Sequence, residues 1–208
     1  MANDFMKMLQ HQLSDDNFID QLSQQLGGVE KEKAAAAANG AVSVLTGALA
    51  KNAASKQGAS ALAGALDRDH DGSVLDDLMG TLTGAVQSGG GRALNSAGIL
   101  SHILGGRQSG AVDMISKMSG LDSGKTSQLM MMLAPVVMGM LGKARQQNGL
   151  DSAGLSNILA GAFGQQKGQG SQAMDMISGF LDQDGDGDIT DDLSKLGKGL
   201  LGGLFGRR

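Results

Sequence analysis

The chain contains no cysteine, tryptophan or tyrosine, and only 1 proline and 5 phenylalanines in 208 residues. Without cysteine there is no disulfide framework and no thiol chemistry, and cysteine use gives no information about the redox compartment. The core must therefore be assembled from Leu, Ile, Val, Met and Ala. The 34 Gly and 13 Met favour close helix contacts whose gaps are filled by adaptable side chains. We expect a tightly packed helical protein.

Charge and motifs exclude several functional classes. The net charge is −4, and no basic stripe interleaved with aromatics occurs, which argues against a nucleic-acid partner. Residues 129–141 form the longest nearly apolar segment, shorter than the roughly 20 residues that span a membrane. The polar, amphipathic residues 1–18 do not resemble a secretory signal, so we expect a cytoplasmic protein. The 3 His are scattered, and hydrolase, zincin and nucleotide motifs are absent. We therefore expect no enzymatic activity.

Two acidic segments dominate the chemistry of the sequence. Residues 182–192 read DQDGDGDITDD and carry six carboxylates in eleven residues with no basic side chain. Residues 67–77 read DRDHDGSVLDD, so a related segment occurs 115 residues earlier. Carboxylates at positions 1, 3 and 5 of such a loop converge on one cation, and glycine at position 6 permits the sharp turn. The spacing therefore predicts two EF-hand-like calcium sites.

The calcium ligands follow from the loop positions. Position 7 contributes a backbone carbonyl, whereas the bidentate Glu of an EF-hand at position 12 is replaced here by Leu78 and Leu193. We expect a loop closed by the Asp at position 11, with Asp76 and Asp191 either binding through water or favouring a helix N-terminus. The predicted ligands are Asp67, Asp69, Asp71, Ser73 and Asp77 in the first segment, and Asp182, Asp184, Asp186, Asp188 and Asp192 in the second.

Repulsion between the carboxylates favours a cation over an ordinary acidic turn. Two unit charges about 4 Å apart repel by about 1 kcal/mol in water and by about 4 kcal/mol at an effective dielectric of 20. The alternative is a solvated surface turn, since Asp and Gly are common turn residues. The two segments match at positions 1, 3, 5 and 6. This repetition favours the calcium interpretation.

Helical periodicity extends along most of the chain. Residues 29–50 read as a long Ala-rich helix or a helix pair broken near Asn39 and Gly40. A polar linker over residues 51–58 then precedes a short helix over residues 59–66. Pro135 predicts either a kink in a core helix or two shorter helices meeting there.

Internal similarity divides the chain into two related units. Residues 37–49 correspond to residues 129–141 at an offset of 92 residues. The SGGG stretch that begins at Ser88 is the most flexible segment by composition and marks the expected boundary. The predicted fold is all-α, with one multi-helix unit at residues 1–88 and a second at residues 89–208, each carrying one acidic loop.

Two segments resemble a known bacterial family. Residues 120–143 read GLDSGKTSQLMMMLAPVVMGMLGK and residues 149–161 read GLDSAGLSNILAG. They resemble the YidB-like domain of unknown function, and the resemblance covers the second half of the chain well and the first half weakly. It implies an all-helical fold and no established activity. Its motifs are packing motifs, so no functional residues are carried over.

The sequence is consistent with two functions. In the first, calcium stabilises a helical module that acts by self-association or by binding a protein partner. In the second, the protein is a calcium sensor that exposes a Met-rich face to a partner. We define the Met-rich face as Met130, Met131, Met132, Met138 and Met140. Both this face and the C-terminal tail, residues 194–208, are candidate contact surfaces, although each is also consistent with simple core packing.

Overall fold

Most of the chain that the structure describes is helical. A computed structural model describes residues 2–69, 96–168 and 172–182. No strand occurs in these three ranges, so the expected all-α fold is confirmed for them. They form nine α-helices, α1 Ala2–Leu13, α2 Asp16–Gln25, α3 Lys31–Ala53, α4 Lys56–Asp69, α5 Ser96–Leu104, α6 Gln108–Ser119, α7 Ser123–Asn148, α8 Ser152–Lys167 and α9 Gln172–Leu181, and one 3₁₀ turn, Gly105–Arg107.

The first two helices follow from apolar spacing and one cap. Phe5 and Leu9 of α1 are buried, as are Phe18 and Leu22 of α2, so each pair lies four residues apart on one helix face. Asp15 precedes α2, and its carboxylate accepts hydrogen bonds from two backbone N–H groups of the first turn, at 2.9 and 3.4 Å. This cap satisfies donors that have no partner inside the helix.

Helix α3 is the centre of the molecule. It packs against each of the other eight described α-helices. Its sequence, KEKAAAAANGAVSVLTGALAKNA, is dominated by small residues, and most of its length from Ala34 to Leu49 is buried. Small side chains let several helices approach one axis closely. Of the two alternatives for this stretch, the single long helix is correct, because α3 is continuous from Lys31 to Ala53 with no break near Asn39.

The boundary between α3 and α4 differs from the expected linker at residues 51–58. Only Ala54 and Ser55 lie between the two helices. Ser55 begins the second helix, where its Oγ accepts a hydrogen bond from the Gly58 N–H at 3.0 Å. Lys, Gln and Ala are good helix formers, so a polar composition alone does not end a helix. Helix α4 also extends beyond the predicted end at residue 66, to Asp69.

Helix α7 continues through its proline. Pro135 is buried within a single helix of 26 residues, so the chain does not form two helices meeting there. Proline removes one backbone donor and crowds the preceding turn. We attribute the tolerance to the surrounding packing, since the residues flanking Pro135 on both sides are buried.

The helix order reproduces the offset found in the sequence. Helices α2 and α6 begin at Asp16 and Gln108, and α3 and α7 begin at Lys31 and Ser123, so each pair is separated by 92 residues. The buried apolar side chains of both sets form one continuous core from Phe5 to Leu181. Halves of similar helix order therefore share a single core. The expected boundary at residue 88 lies outside the described residues.

Two glycines of α3 should respond oppositely to a methyl group. A Cβ at Gly47 would overlap the Leu181 side chain and lie 2.6 Å from Cε2 of the buried Phe163 ring, whereas a Cβ at Gly40 would meet Ile115 at 3.7 Å. We expect Gly47→Ala to lower the free energy of unfolding by about 1–3 kcal/mol through overpacking. Gly40→Ala should raise it by up to about 1 kcal/mol through helix propensity. Urea denaturation measures both, and equal effects would contradict the packing described for Gly47.

Candidate functional site

The first acidic segment begins inside a helix. Asp67 and Asp69, predicted at loop positions 1 and 3, both fall within α4. Positions two residues apart on an α-helix do not share a face. In the described conformation the backbone of α4 is helical through both positions. Binding by both requires α4 to end at least two residues earlier.

Arg145, in the last turn of α7, contacts the start of this segment. Its Nη1 forms an ion pair with Asp67 Oδ1 and also donates to the Ala63 carbonyl oxygen at 3.0 Å. Its Nε donates to the Leu150 carbonyl oxygen at 3.0 Å. The Arg145 side chain is 19% exposed and that of Asp67 is 62% exposed. One guanidinium group thus ties the end of α4 to the corner between α7 and α8.

The second acidic segment begins where a helix ends. Asp182 directly follows α9, and its backbone N–H donates to the Ser178 carbonyl oxygen at 2.8 Å. Lys51, near the end of α3, donates from Nζ to the Leu181 carbonyl oxygen at 2.9 Å. A cation in this position satisfies a terminal carbonyl and opposes the negative end of the helix dipole. Asp182 therefore directly follows a helix whose last carbonyl oxygen is satisfied by Lys51.

The end of α9 lies against two glycines. Gly47 of α3 leaves room for Leu181, and Gly110 of α6 leaves room for the Phe180 ring, which would lie 2.9 Å from a Cβ there. Leu181 is 1% exposed. Both contacts immediately precede Asp182, so packing fixes the point at which the second acidic segment leaves the core.

Most predicted ligands lie outside the described residues. Within residues 2–69, 96–168 and 172–182, no three His, Cys, Asp or Glu side chains come together as a metal-binding group. The described ligand positions are limited to the start of each segment. The predicted ligands outside the described residues are Asp71, Ser73, Asp77, Asp184, Asp186, Asp188 and Asp192.

Other carboxylates have clear structural roles. Asp122 caps α7 by accepting a hydrogen bond from the Lys125 backbone N–H at 2.9 Å, and this bond lowers the pKa of Asp122 below its ordinary value. Asp151 caps α8 in the same way through the Gly154 N–H, at 2.8 Å. Both satisfy the free donors of a helix N-terminus. Helix capping therefore accounts for these two acidic residues, which lie outside the predicted calcium-binding segments.

The Met-rich face is mostly interior. Met130, Met138 and Met140 are 0%, 4% and 5% exposed. Met131 and Met132 are partly buried and pack against the core. The sequence indicated either a partner-binding groove or core packing, and in this conformation the residues are core. The sequence shows that a side chain is apolar, but it does not show whether another helix of the same protein covers it.

An open groove lies elsewhere and was not predicted. It has a volume of about 520 Å³ and is bordered by α1, α3, α6, α8 and α9. Its walls include Met6, Met118, Met174 and Met176. These methionines come from three helices far apart in sequence, so no local pattern could have revealed the groove.

Helix α7 resembles a membrane span only in length and composition. Its most apolar window has a mean hydropathy of 1.2, and 72% of that window is buried inside the protein. Among the described helices it alone meets both criteria. Burial by neighbouring helices is the behaviour of a core helix, as the sequence predicted.

Comparison with known proteins gives one family match. A family described as "Bacterial protein of unknown function (DUF937)" matches residues 7–144, which run from α1 into α7. The match confirms similarity to a bacterial family without established function, under a description other than YidB-like. It includes the first half, which the resemblance covered only weakly, and ends before residues 149–161. No curated protein and no solved structure matches the chain.

Removing Arg145 should destabilise the protein more than removing its acidic partner. Arg145→Met loses two hydrogen bonds to backbone carbonyls as well as the ion pair, and we expect a loss of about 2–4 kcal/mol in the free energy of unfolding. Asp67→Asn should cost less than about 1 kcal/mol, because Asp67 is largely exposed. Arg145→Lys should restore little of the lost stability, because the Lys ammonium group lacks the planar set of N–H donors of a guanidinium group. Chemical denaturation without added metal tests all three, and equal losses for Arg145→Met and Asp67→Asn would contradict this account.

Proposed function

The chain belongs to a bacterial family of unknown function, and from its own residues we propose that it is a calcium-binding helical protein without catalytic activity. Calcium stabilises the helices around each acidic segment, and the protein acts by self-association or by binding a protein partner. In this proposal the chain consists of two related units of the YidB-like kind, residues 1–88 and residues 89–208, each with one calcium loop.

The repeated spacing of carboxylates carries the proposal. Asp182, Asp184 and Asp186 stand at alternate positions before Gly187, and the first segment repeats this order. Carboxylate oxygens are the preferred ligands of calcium, and a glycine at position 6 permits the turn that its loops require. An ion would also remove the repulsion among several neighbouring negative charges.

The position of Asp182 supports the second segment as the better calcium site. A rigid starting point lowers the entropy cost of ordering a loop around an ion, because fewer residues remain to be fixed. The glycine contacts of Phe180 and Leu181 provide such a starting point. Six carboxylates without a basic residue also make residues 182–192 the more negative segment.

Two observations disfavour the first segment. Calcium binding there has to displace Arg145 from Asp67 and shorten α4, and both changes oppose binding. Arg68 and His70 lie within the segment, where a positive charge would reduce the attraction for a cation. We therefore propose that the first segment binds calcium more weakly than the second.

A calcium sensor is the alternative function. Calcium sensors expose flexible, Met-lined surfaces on which partners dock. The groove lined by Met6, Met118, Met174 and Met176 has this composition, and α9 joins it to the second acidic segment. In this alternative the groove takes the role first given to the Met-rich face. Apolar-dye binding that rises when calcium is added, and not when magnesium is added, would favour it.

Calcium should raise the thermal stability of the protein. An ion that binds only the folded state stabilises it by about 2.7 kcal/mol at a free concentration one hundred times Kd. We expect a higher Tm in millimolar calcium than in chelator, measured by circular dichroism. An unchanged Tm would identify the acidic segments as ordinary turns and remove the basis of the proposed function.

The two segments should separate in a calorimetric titration. We expect Asp182→Ala with Asp184→Ala to remove the tighter calcium-binding phase, and Asp67→Ala with Asp69→Ala to remove only the weaker one. The physical reasons are the charge of each segment and the Arg145 contact. Loss of the tighter phase from the first pair would contradict this order.

A control variant that removes two Asp outside both segments separates the loss of calcium ligands from the general effect of the charge change. Asp113 and Asp175 are exposed on α6 and α9, outside both segments. Asp113→Ala with Asp175→Ala changes the net charge by the same amount, so it reports the general electrostatic effect. Both binding phases should persist in this variant.

A further inference from the structure

The groove bordered by α1, α3, α6, α8 and α9 offers an apolar surface to an occupant. It has a volume of about 520 Å³, and none of the described side chains that line it is charged. Met176, on its border, is 48% exposed and is the exposed large hydrophobic residue among those described. Contact with water leaves this apolar surface without the stabilisation that burial provides. The groove therefore favours an apolar occupant.

The groove also contains an acceptor in need of a donor. Gln166 of α8 lines it, and Oε1 of this side chain is buried without a hydrogen-bond partner among the described residues. Its Nε2 lies 3.8 Å from the sulfur of Met6. A buried carbonyl oxygen without a donor is unfavourable. A backbone N–H of an occupant would satisfy it.

The C-terminal part of the chain supplies a matching segment. Residues 199–206 read GLLGGLFG and contain no charged residue. Their large side chains are Leu200, Leu201, Leu204 and Phe205. The glycines between them allow the backbone to approach a groove wall closely and leave its N–H groups accessible. The segment thus offers apolar side chains to the groove walls and backbone N–H donors to Gln166 Oε1.

The segment is long enough to reach the groove. The described chain ends at Asp182, directly after α9, and Met176 lies six residues earlier on the same helix, about 9 Å along its axis. From Asp182 to Leu200 there are 18 residues, which span up to about 60 Å when extended. A segment tethered this closely has an effective concentration in the millimolar range.

We propose that residues 199–206 of the same chain dock in the groove bordered by α1, α3, α6, α8 and α9. Leu204 and Phe205 contact the methionine walls, and a backbone N–H of the segment donates to Gln166 Oε1. Methionine suits this role because its side chain adapts to an irregular partner. Docking is independent of calcium and of the proposed function.

Disulfide trapping tests this contact directly, because the chain has no native cysteine. We expect the double variant Met176→Cys, Phe205→Cys to form an intramolecular disulfide at least tenfold faster than the control Gln147→Cys, Phe205→Cys. Gln147 is exposed at the end of α7 and does not line the groove. A disulfide-linked dimer would place the segment of a second copy in the groove and overturn the proposal. Equal rates for both variants would also overturn it.

Methionine methyl NMR provides a second test that leaves the groove residues unchanged. Leu204→Asp with Phe205→Asp should shift the methyl signals of groove methionines such as Met174 and Met176, while those of the core methionines Met130 and Met138 stay in place. The control Ser194→Asp with Lys195→Asp should shift neither set. Unchanged groove signals in the first variant, or equal shifts of both sets, would refute docking.

Discussion

Close approach of backbones along α3 is the constraint on which the rest of the structure depends. This helix contacts all eight other described α-helices, an arrangement that large side chains on its surface would prevent. Ala and Gly allow it, and they replace the aromatic residues that many cores use as filler. Dispersion contacts along such an axis are individually weak but numerous, so their sum depends on tight fit. One small-residue helix thereby unites two similar sets of helices in a single core.

The same constraint distinguishes the two acidic segments. Helix α9 ends against Gly47 and Gly110, whose missing side chains admit Leu181 and Phe180. Helix α4 has no such contact at Asp67 and is held there by Arg145 instead. Packing is insensitive to salt, whereas an exposed ion pair weakens as ionic strength rises. The second segment therefore begins at a packed contact, and the first begins at an ion pair.

Local patterns in the sequence predicted helices well and their ends less well. The Ala-rich pattern of residues 29–50 correctly indicated a helix there, α3, because Ala has the highest helix propensity. The linker at residues 51–58 was wrong since helix propensity, not polarity, governs such a stretch. Acidic spacing indicated candidate ligands, yet the Arg145 contact to Asp67 joins residues 78 positions apart. Contacts of this kind depend on the tertiary fold and leave no local signal.

The methionines of this protein show that one residue type can occupy different structural positions. Met130 and Met138 of α7 are enclosed by neighbouring helices, whereas Met174 and Met176 of α9 border a groove. The difference lies in which helices cover each position. Helix α9 has 10 residues and is about 15 Å long, with the groove along its first turns and the second acidic segment at its end. Because Leu181 and Phe180 pack against Gly47 and Gly110, the end of α9 is held in place, and Met176 borders the groove six residues earlier. The proposed calcium site and the adaptable surface are thus joined by one short element.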